Sequence, residues 1–130
     1  MVSVHNLPSV SGKMNTNGDT VWTRNYAGIN GEELYACGQT FDGGYFIAGT
    51  ILANALYDYI LIKTDSNGVP QWSKVYASPL NESCYTAIQT SDSGFVLAGY
   101  SQTSMQSVDI NVTNTSKSGT NSFCVIFLKE

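Results

Sequence analysis

Apolar and polar positions alternate with a period of two along much of this chain, and short clusters of glycine, asparagine and aspartate interrupt the alternation. The runs Tyr35–Thr40 and Tyr45–Thr50 flank an Asp-Gly-Gly turn, which predicts a β-hairpin because glycine readily adopts the positive φ angles of tight turns. A second hairpin is predicted from Tyr57–Thr64 and Val69–Ala77 around Asn67-Gly68. No stretch of helical period and useful length occurs, so the chain is predicted to be all-β.

The same pattern recurs after fifty residues. Identities at this offset include both tryptophans and several strand and turn positions: Trp22 and Trp72, Tyr26 and Tyr76, Tyr35 and Tyr85, Gln39-Thr40 and Gln89-Thr90, Ala48-Gly49 and Ala98-Gly99. A fixed period of this length indicates that each repeat is one supersecondary unit stacked on its neighbours. Four strands fit into each repeat, which is the size of one β-propeller blade. The sequence therefore predicts two four-stranded antiparallel blades, as part of a β-propeller or of an oligomeric ring.

The second repeat departs from the first in two places. Ser93 stands where the first repeat has Gly43, which predicts a looser turn or one of a different type. Phe127-Leu128-Lys129 matches Leu61-Ile62-Lys63 at a longer spacing than the other identities, which predicts inserted residues. The insertion is expected to form a loop over residues 101–120, rich in Ser, Thr and Asn, with a small hairpin at Val108–Val112.

The motifs resemble the repeats of archaeal and bacterial extracellular β-propellers. Such blades read W-x-[KR]-x-[YF], then Q-T-x-D-G-G-[YF]-x-[IL]-A-G, then [IL]-x-K-x-D-x-x-G-x-x-x-W. The corresponding segments of this chain are Trp22–Tyr26, Gln39–Gly49 and Leu61–Trp72. The resemblance covers residues 13–130 and implies a secreted or cell-surface scaffold or binding platform rather than an enzyme.

The repeat boundaries predict three parts of the chain. Residues 1–12 are expected to be a poorly ordered N-terminal extension, residues 13–70 a first blade with a leading closure strand, and residues 71–130 a second blade that carries the loop insertion. Val21–Ala27 is expected to pair with the last strand, Ser122–Glu130, of a repeat that comes round to meet it. Because propellers have at least four blades, the expected partners are other blades, in a longer parent chain or in a homo-oligomer.

Composition narrows the class of function. The formal charge is −4 and no cluster of Lys and Arg occurs, so binding to a nucleic-acid backbone is not expected. No apolar run approaches the roughly 20 residues of a membrane span. Residues 1–12 have neither the basic nor the apolar region of a signal peptide, so the surface location implied by the resemblance would require a longer parent chain.

Residues suited to catalysis or metal binding are sparse. The one histidine, His5, lies outside the repeats, so no catalytic triad, cofactor or metal site is predicted. Asp42 and Asp92 occupy equivalent turns, where aspartate commonly caps its own backbone. The three cysteines have no C-x-x-C spacing and are expected to be buried free thiols: Cys37, Cys84 and Cys124.

Trp22 and Trp72, with Tyr26 and Tyr76, are the candidate ligand-binding residues. Tryptophan faces stack on sugar rings, and each tryptophan lies on a strand that leaves an Asn-Gly turn, at a fixed spacing. The alternative is that these residues pack one blade against the next.

Three functions follow from these patterns. The first is a non-enzymatic scaffold or adhesion module of a surface propeller, with glycans or surface proteins as partners. The second is a small carbohydrate-binding lectin assembled from two-blade chains. The third is a fragment of a propeller hydrolase whose catalytic groups lie outside this chain.

Overall fold

The computed structural model of the protein describes residues 10–26, 33–104, 107–119 and 121–127. All regular elements in these residues are β-strands, and every strand pair is antiparallel. The ten strands are β1 Val10–Met14, β2 Thr20–Asn25, β3 Glu33–Gln39, β4 Tyr45–Ala53, β5 Leu56–Thr64, β6 Pro70–Tyr76, β7 Asn81–Gln89, β8 Phe95–Ser104, β9 Ser107–Thr115 and β10 Asn121–Phe127. The prediction of an all-β antiparallel chain is confirmed.

The strands form three sheets in which neighbours along the chain are neighbours in space. Strands β1 and β2 form the N-terminal pair, β3 to β6 form the first sheet, and β7 to β10 form the second sheet. Short turns suffice for this order, because consecutive antiparallel strands meet at the same end. Both predicted hairpins of the first repeat lie within the first sheet, as β3-β4 and β5-β6.

The first sheet is buried on both faces. Strand β5 shows this most clearly: Ile60 and Ile62 pack with Tyr26, which follows β2, whereas Tyr59 and Leu61 pack with the second sheet, including Phe95. Alternate residues of a strand point to opposite faces, so a strand with seven buried residues in a row must be covered on both sides. The first sheet therefore lies between the N-terminal pair and the second sheet.

The turn at Ser93 is the same as its counterpart in the first repeat. In each turn the threonine N–H donates to a glycine carbonyl at 2.9 Å, Thr40 to Gly44 and Thr90 to Gly94. Ser93 takes a φ of 67°, within the left-handed region in which Gly43 also lies, at 84°. The expectation of a looser turn was wrong, because serine adopts the conformation that the turn requires.

The prediction of a loop over residues 101–120 was also wrong. Strand β8 continues to Ser104, and β9 occupies 107–115 between β8 and β10. The turn after β9 repeats the turn after β5: the N–H of Gly119 donates to Ser116 O, as that of Gly68 donates to Asp65 O. Strand β9 is thus the counterpart of β5, and Phe127 ends the counterpart of β6. The polar composition of the segment concealed a strand whose backbone pairs on both sides.

The predicted boundaries shift accordingly. Residues 70–76 form β6 and belong to the first sheet, so the boundary lies after them rather than at residue 70. Val10 to Gly12, expected in a poorly ordered extension, pair with β2, and residues 1–9 lie outside the described residues. Within the chain, β2 pairs with β1, and β10 pairs with β9. Residues 27 and 128–130, at the ends of the two segments predicted to pair in a closed ring, lie outside the described residues.

Candidate functional site

The four candidate ligand-binding residues lie at two successive sheet junctions. Tyr26 bridges the N-terminal pair and the first sheet, since its hydroxyl donates to Gly68 O at 2.7 Å. Tyr76 makes the same contact one junction further, with its hydroxyl donating to Gly119 O at 2.7 Å. Burial raises the pKa of Tyr76 to about 12, so the hydroxyl stays protonated and able to donate. The structure brings these residues together in two equivalent pairs rather than in one site.

Each tryptophan packs on the same turn that the tyrosine contacts. The ring of Trp22 covers Gly68, where a Cβ atom would lie 2.7 Å from the ring, and meets Tyr45 edge-on at 5.6 Å between ring centroids. Trp72 covers Gly119 in the same way and meets Phe95 edge-on at 5.9 Å. These contacts favour the packing alternative, and ligand binding by the tryptophan–tyrosine pairs stays a prediction.

A cleft opens beside each tryptophan at the end of the sheets that carries these turns. Lys13 and Lys63, Trp22 and Trp72, and Gln39 and Gln89 occupy equivalent places in the two clefts. The first cleft encloses about 220 Å³ and is lined by Gly12, Lys13, Trp22, Cys37, Gly38, Gln39 and Tyr45. The second encloses about 400 Å³ and is lined by Asp42, Lys63, Gln71, Trp72, Gln89, Ser93, Lys117 and Ser118.

Lys63 is held in place inside the second cleft. Its side chain is buried, and Nζ donates to Asp42 Oδ1 at 3.1 Å, to Thr64 O at 2.8 Å and to Gln71 Oε1 at 3.0 Å. An ammonium group has three hydrogens to donate, so these three acceptors satisfy it fully. The arrangement suits a structural cation that ties β5 to the Asp42 turn and to β6, not a nucleophile.

Asp42 and Asp92 cap their own turns as the sequence predicts. Each carboxylate accepts hydrogen bonds from the threonine two residues before it and from the glycine N–H two residues after it. The hydrogen bond from Thr40, with those from Lys63 and Gly44, lowers the pKa of Asp42 to about 2. A carboxylate with this pKa stays ionised at neutral pH and is a poor proton acceptor there.

We expect Asp42→Asn to lower the free energy of unfolding at neutral pH by about 1 kcal/mol, a small value because the carboxylate is largely exposed. The ordinary pKa of aspartate is 3.8 and that of folded Asp42 is about 2, so the charge stabilises the fold above pH 4. That contribution is lost as the pH falls through 2. Urea unfolding of wild type and variant at pH 7, 4 and 2 measures this convergence.

Asp92→Asn is the matched control. Asp92 has the same threonine and glycine contacts, and no lysine lies against it among the described ion pairs. We expect a smaller loss than for Asp42→Asn. Equal losses, or a difference between wild type and Asp42→Asn that does not change with pH, would contradict the role of the Lys63 ion pair.

A third cleft lies at the opposite end of the junction between the first and second sheets. It encloses about 270 Å³ and is lined by Glu33, Thr50, Tyr57, Asn81, Ser83, Tyr100 and Gln102. A row of three tyrosine rings adjoins it. The centroid of the Tyr85 ring lies 5.2 Å from that of Tyr35 and 5.7 Å from that of Tyr100, and the planes of Tyr85 and Tyr100 are inclined by 29°. We call this cleft with its adjoining rings the tyrosine cleft.

Sequence patterns pointed to only part of the tyrosine cleft. Tyr35 and Tyr85 are equivalent in the repeat, and the alternation in β3 places Tyr35 on the same face as Glu33. Tyr100 stands where the first repeat has Thr50, so the repeat itself does not mark it. Its approach to Tyr85 depends on the β7-β8 register, in which Tyr100 pairs with Ser83.

The cysteines differ from the expectation in one case. Cys84 is fully buried and free, and burial raises its pKa to about 12, as suits an inert packing residue. Cys37 is free but exposed, because it lines the open first cleft with Trp22 and Gln39. The side chain of Cys124 lies outside the described residues.

Within the described residues, no group of three or more His, Cys, Asp or Glu side chains is placed to hold a metal ion. No helix long and apolar enough to cross a membrane occurs in the same residues. No protein-family model matches the chain, and no curated protein matches it.

Proposed function

We propose that this chain is a non-enzymatic repeat module of a β-propeller that is secreted or exposed at the cell surface, where it serves as a scaffold or binding platform. The observation that carries the proposal is the repetition of one junction. Trp22 and Tyr26 contact the turn at Gly68, and Trp72 and Tyr76 make the same contacts with the turn at Gly119. Identical junctions in succession generate a regular stack of sheets, which a propeller closes into a ring.

Other sheets of the same kind are the proposed partners, either in a longer parent chain or in further copies of this one. The first and second sheets each have four strands in sequence order, as propeller blades do. The surface location rests on the resemblance of the repeats and on a polar surface rich in Ser, Thr, Asn and Gln rather than in charge.

The absolute mass of the purified chain tests this proposal. Light scattering coupled to size exclusion, at several protein concentrations, is expected to give the mass of a closed trimer or tetramer. Alternatively, the mass rises with concentration because exposed sheets of different copies associate. A monomer at every concentration would contradict a ring formed between copies of this chain and would leave a longer parent chain as the source of further sheets.

Two other functions remain as alternatives. A fragment of a propeller hydrolase would be favoured if the chain cleaved ester or glycoside substrates, and such turnover would contradict the non-enzymatic proposal. A small carbohydrate-binding lectin is favoured by one specific feature, the exposed tyrosine rings at the junction between the first and second sheets.

A further inference from the structure

We propose that the tyrosine cleft is a binding site for neutral pyranose oligosaccharides. This inference rests on the proposed function in one respect, that the chain is a binding platform, and it moves the sugar site from Trp22 and Trp72 to the other end of the sheets.

Exposed aromatic rings are the first observation that supports it. Tyr35, Tyr57 and Tyr85 are 38%, 45% and 52% exposed, although each has a large apolar ring. Tyr85 lies 5.2 Å from Tyr35 and 5.7 Å from Tyr100 between ring centroids, so the three rings form one continuous aromatic platform instead of separate surface residues. The C–H face of a pyranose ring packs on such a platform and removes both apolar surfaces from water.

The polar lining is the second observation. Thr50, Asn81, Ser83 and Gln102 bring hydroxyl and amide groups to the walls of the cleft. These groups both donate and accept hydrogen bonds, as a ring of sugar hydroxyls requires. The volume of about 270 Å³ lies just below the roughly 300–1,000 Å³ of drug-sized sites, so the cleft suits one sugar ring of a longer chain.

The site is also rigid, because hydrogen bonds join the two sheets within it. The N–H of Tyr57 on β5 donates to Asn81 Oδ1 on β7 at 3.0 Å. The N–H of Cys84 on β7 donates to Thr50 Oγ1 on β4 at 3.0 Å. Side chains held by two packed sheets lose little freedom on binding, which favours affinity.

The charge of the residues that line the cleft determines which class of ring-stacking ligand it can bind. Glu33 lies in the cleft and accepts a hydrogen bond from the Tyr35 hydroxyl, and no Lys or Arg is among the lining residues. Single-stranded nucleic acid stacks on aromatic side chains too, but it needs a positively charged groove for its backbone. The carboxylate therefore disfavours nucleic acid and acidic sugars, and it leaves neutral pyranoses as the matching class.

Titration with soluble tetrasaccharides tests the inference. Cellotetraose, maltotetraose and chitotetraose are added to the protein, and binding is followed by amide chemical shifts in ¹H–¹⁵N spectra. We expect saturable shifts around the tyrosine cleft with at least one of them, and none with tetragalacturonate. No saturable binding of any neutral tetrasaccharide at millimolar concentration, or equally strong binding of tetragalacturonate or of oligo-dT, would overturn the proposal.

Variants of Tyr85 locate the binding site. Tyr85→Ala is expected to weaken binding about fivefold or more by removing the central ring, whereas Tyr85→Phe keeps the ring and should stay within about twofold of wild type. Phe41→Ala is the matched control, because Phe41 is exposed outside the cleft. Unchanged binding by a folded Tyr85→Ala variant, or equal weakening by Phe41→Ala, would overturn the site.

The same titration separates the two proposals. Cleavage of a tetrasaccharide, seen in its anomeric proton signals, would contradict the non-enzymatic function and leave the binding site standing. Absence of binding would overturn the sugar site and leave the scaffold function standing.

Discussion

Replacing Phe95 with alanine is expected to lower the free energy of unfolding by about 3–5 kcal/mol. Phe95 is fully buried at the junction between the first and second sheets. Its ring meets Phe46 edge-on at 5.6 Å and Trp72 edge-on at 5.9 Å between centroids. Truncation would leave a cavity and also remove two aromatic pairs, each of which contributes about 0.5–1.5 kcal/mol beyond buried area.

Urea unfolding followed by circular dichroism measures this loss, and Phe41→Ala supplies the control. Phe41 is the same residue type in the turn after β3, but it is 68% exposed. Its replacement is expected to change the free energy of unfolding by no more than about 0.5 kcal/mol. Similar values for the two variants would show that the sheets do not pack through Phe95.

The second large effect is expected at Gly99, where alanine should cost about 2–3 kcal/mol. A Cβ atom there would lie 1.9 Å from Ser83 O on the adjacent strand and 2.7 Å from the Tyr59 hydroxyl. The carbonyl comes this close because β7 shifts register between Cys84 and Thr86. A backbone atom cannot rotate away as a side chain can, so the β7-β8 pairing itself must move.

Gly12→Ala is the matched control within a strand. The nearest atom to a Cβ at Gly12 is Trp22 O at 3.4 Å, so alanine needs little adjustment there. We expect no loss, or a gain of up to about 1 kcal/mol from the reduced freedom of the unfolded chain. Urea unfolding of both variants measures their free energies of unfolding. A Gly99→Ala variant as stable as Gly12→Ala would contradict the close approach of Ser83 O to Gly99.

The Gly99 contact also explains a feature of the repeat. A Cβ atom added at Gly49 would lie 2.0 Å from Glu33 O. This close approach is next to the register shift between Leu34 and Ala36. The Ala-Gly pair that recurs after fifty residues therefore marks the place where a bulged strand approaches its neighbour. Sequence identity alone revealed that the position mattered, and only the strand register gave the reason.

Sequence predicted the first sheet closely because its signals are local. Alternation fixes which residues of a strand share a face, and Asp-Gly-Gly and Asn-Gly fix where the chain reverses. The prediction failed in residues 107–115, where the apolar alternation covers only Val108, Ile110 and Val112 and the surrounding residues are polar, so a full-length strand was not expected. That strand pairs with the strand before it and the strand after it, β8 and β10, so its backbone hydrogen bonds are made on both sides.

The sequence by itself determined the all-β class, the hairpins of the first repeat and the period of fifty residues, since each depends on neighbours along the chain. Tertiary structure alone decided what the repeated side chains contact. Trp22 and Tyr26 meet the turn at Gly68, and Tyr85 meets Tyr100 beside a cleft. These contacts join separate strands and sheets, and they arise because each sheet must bury its apolar faces against another.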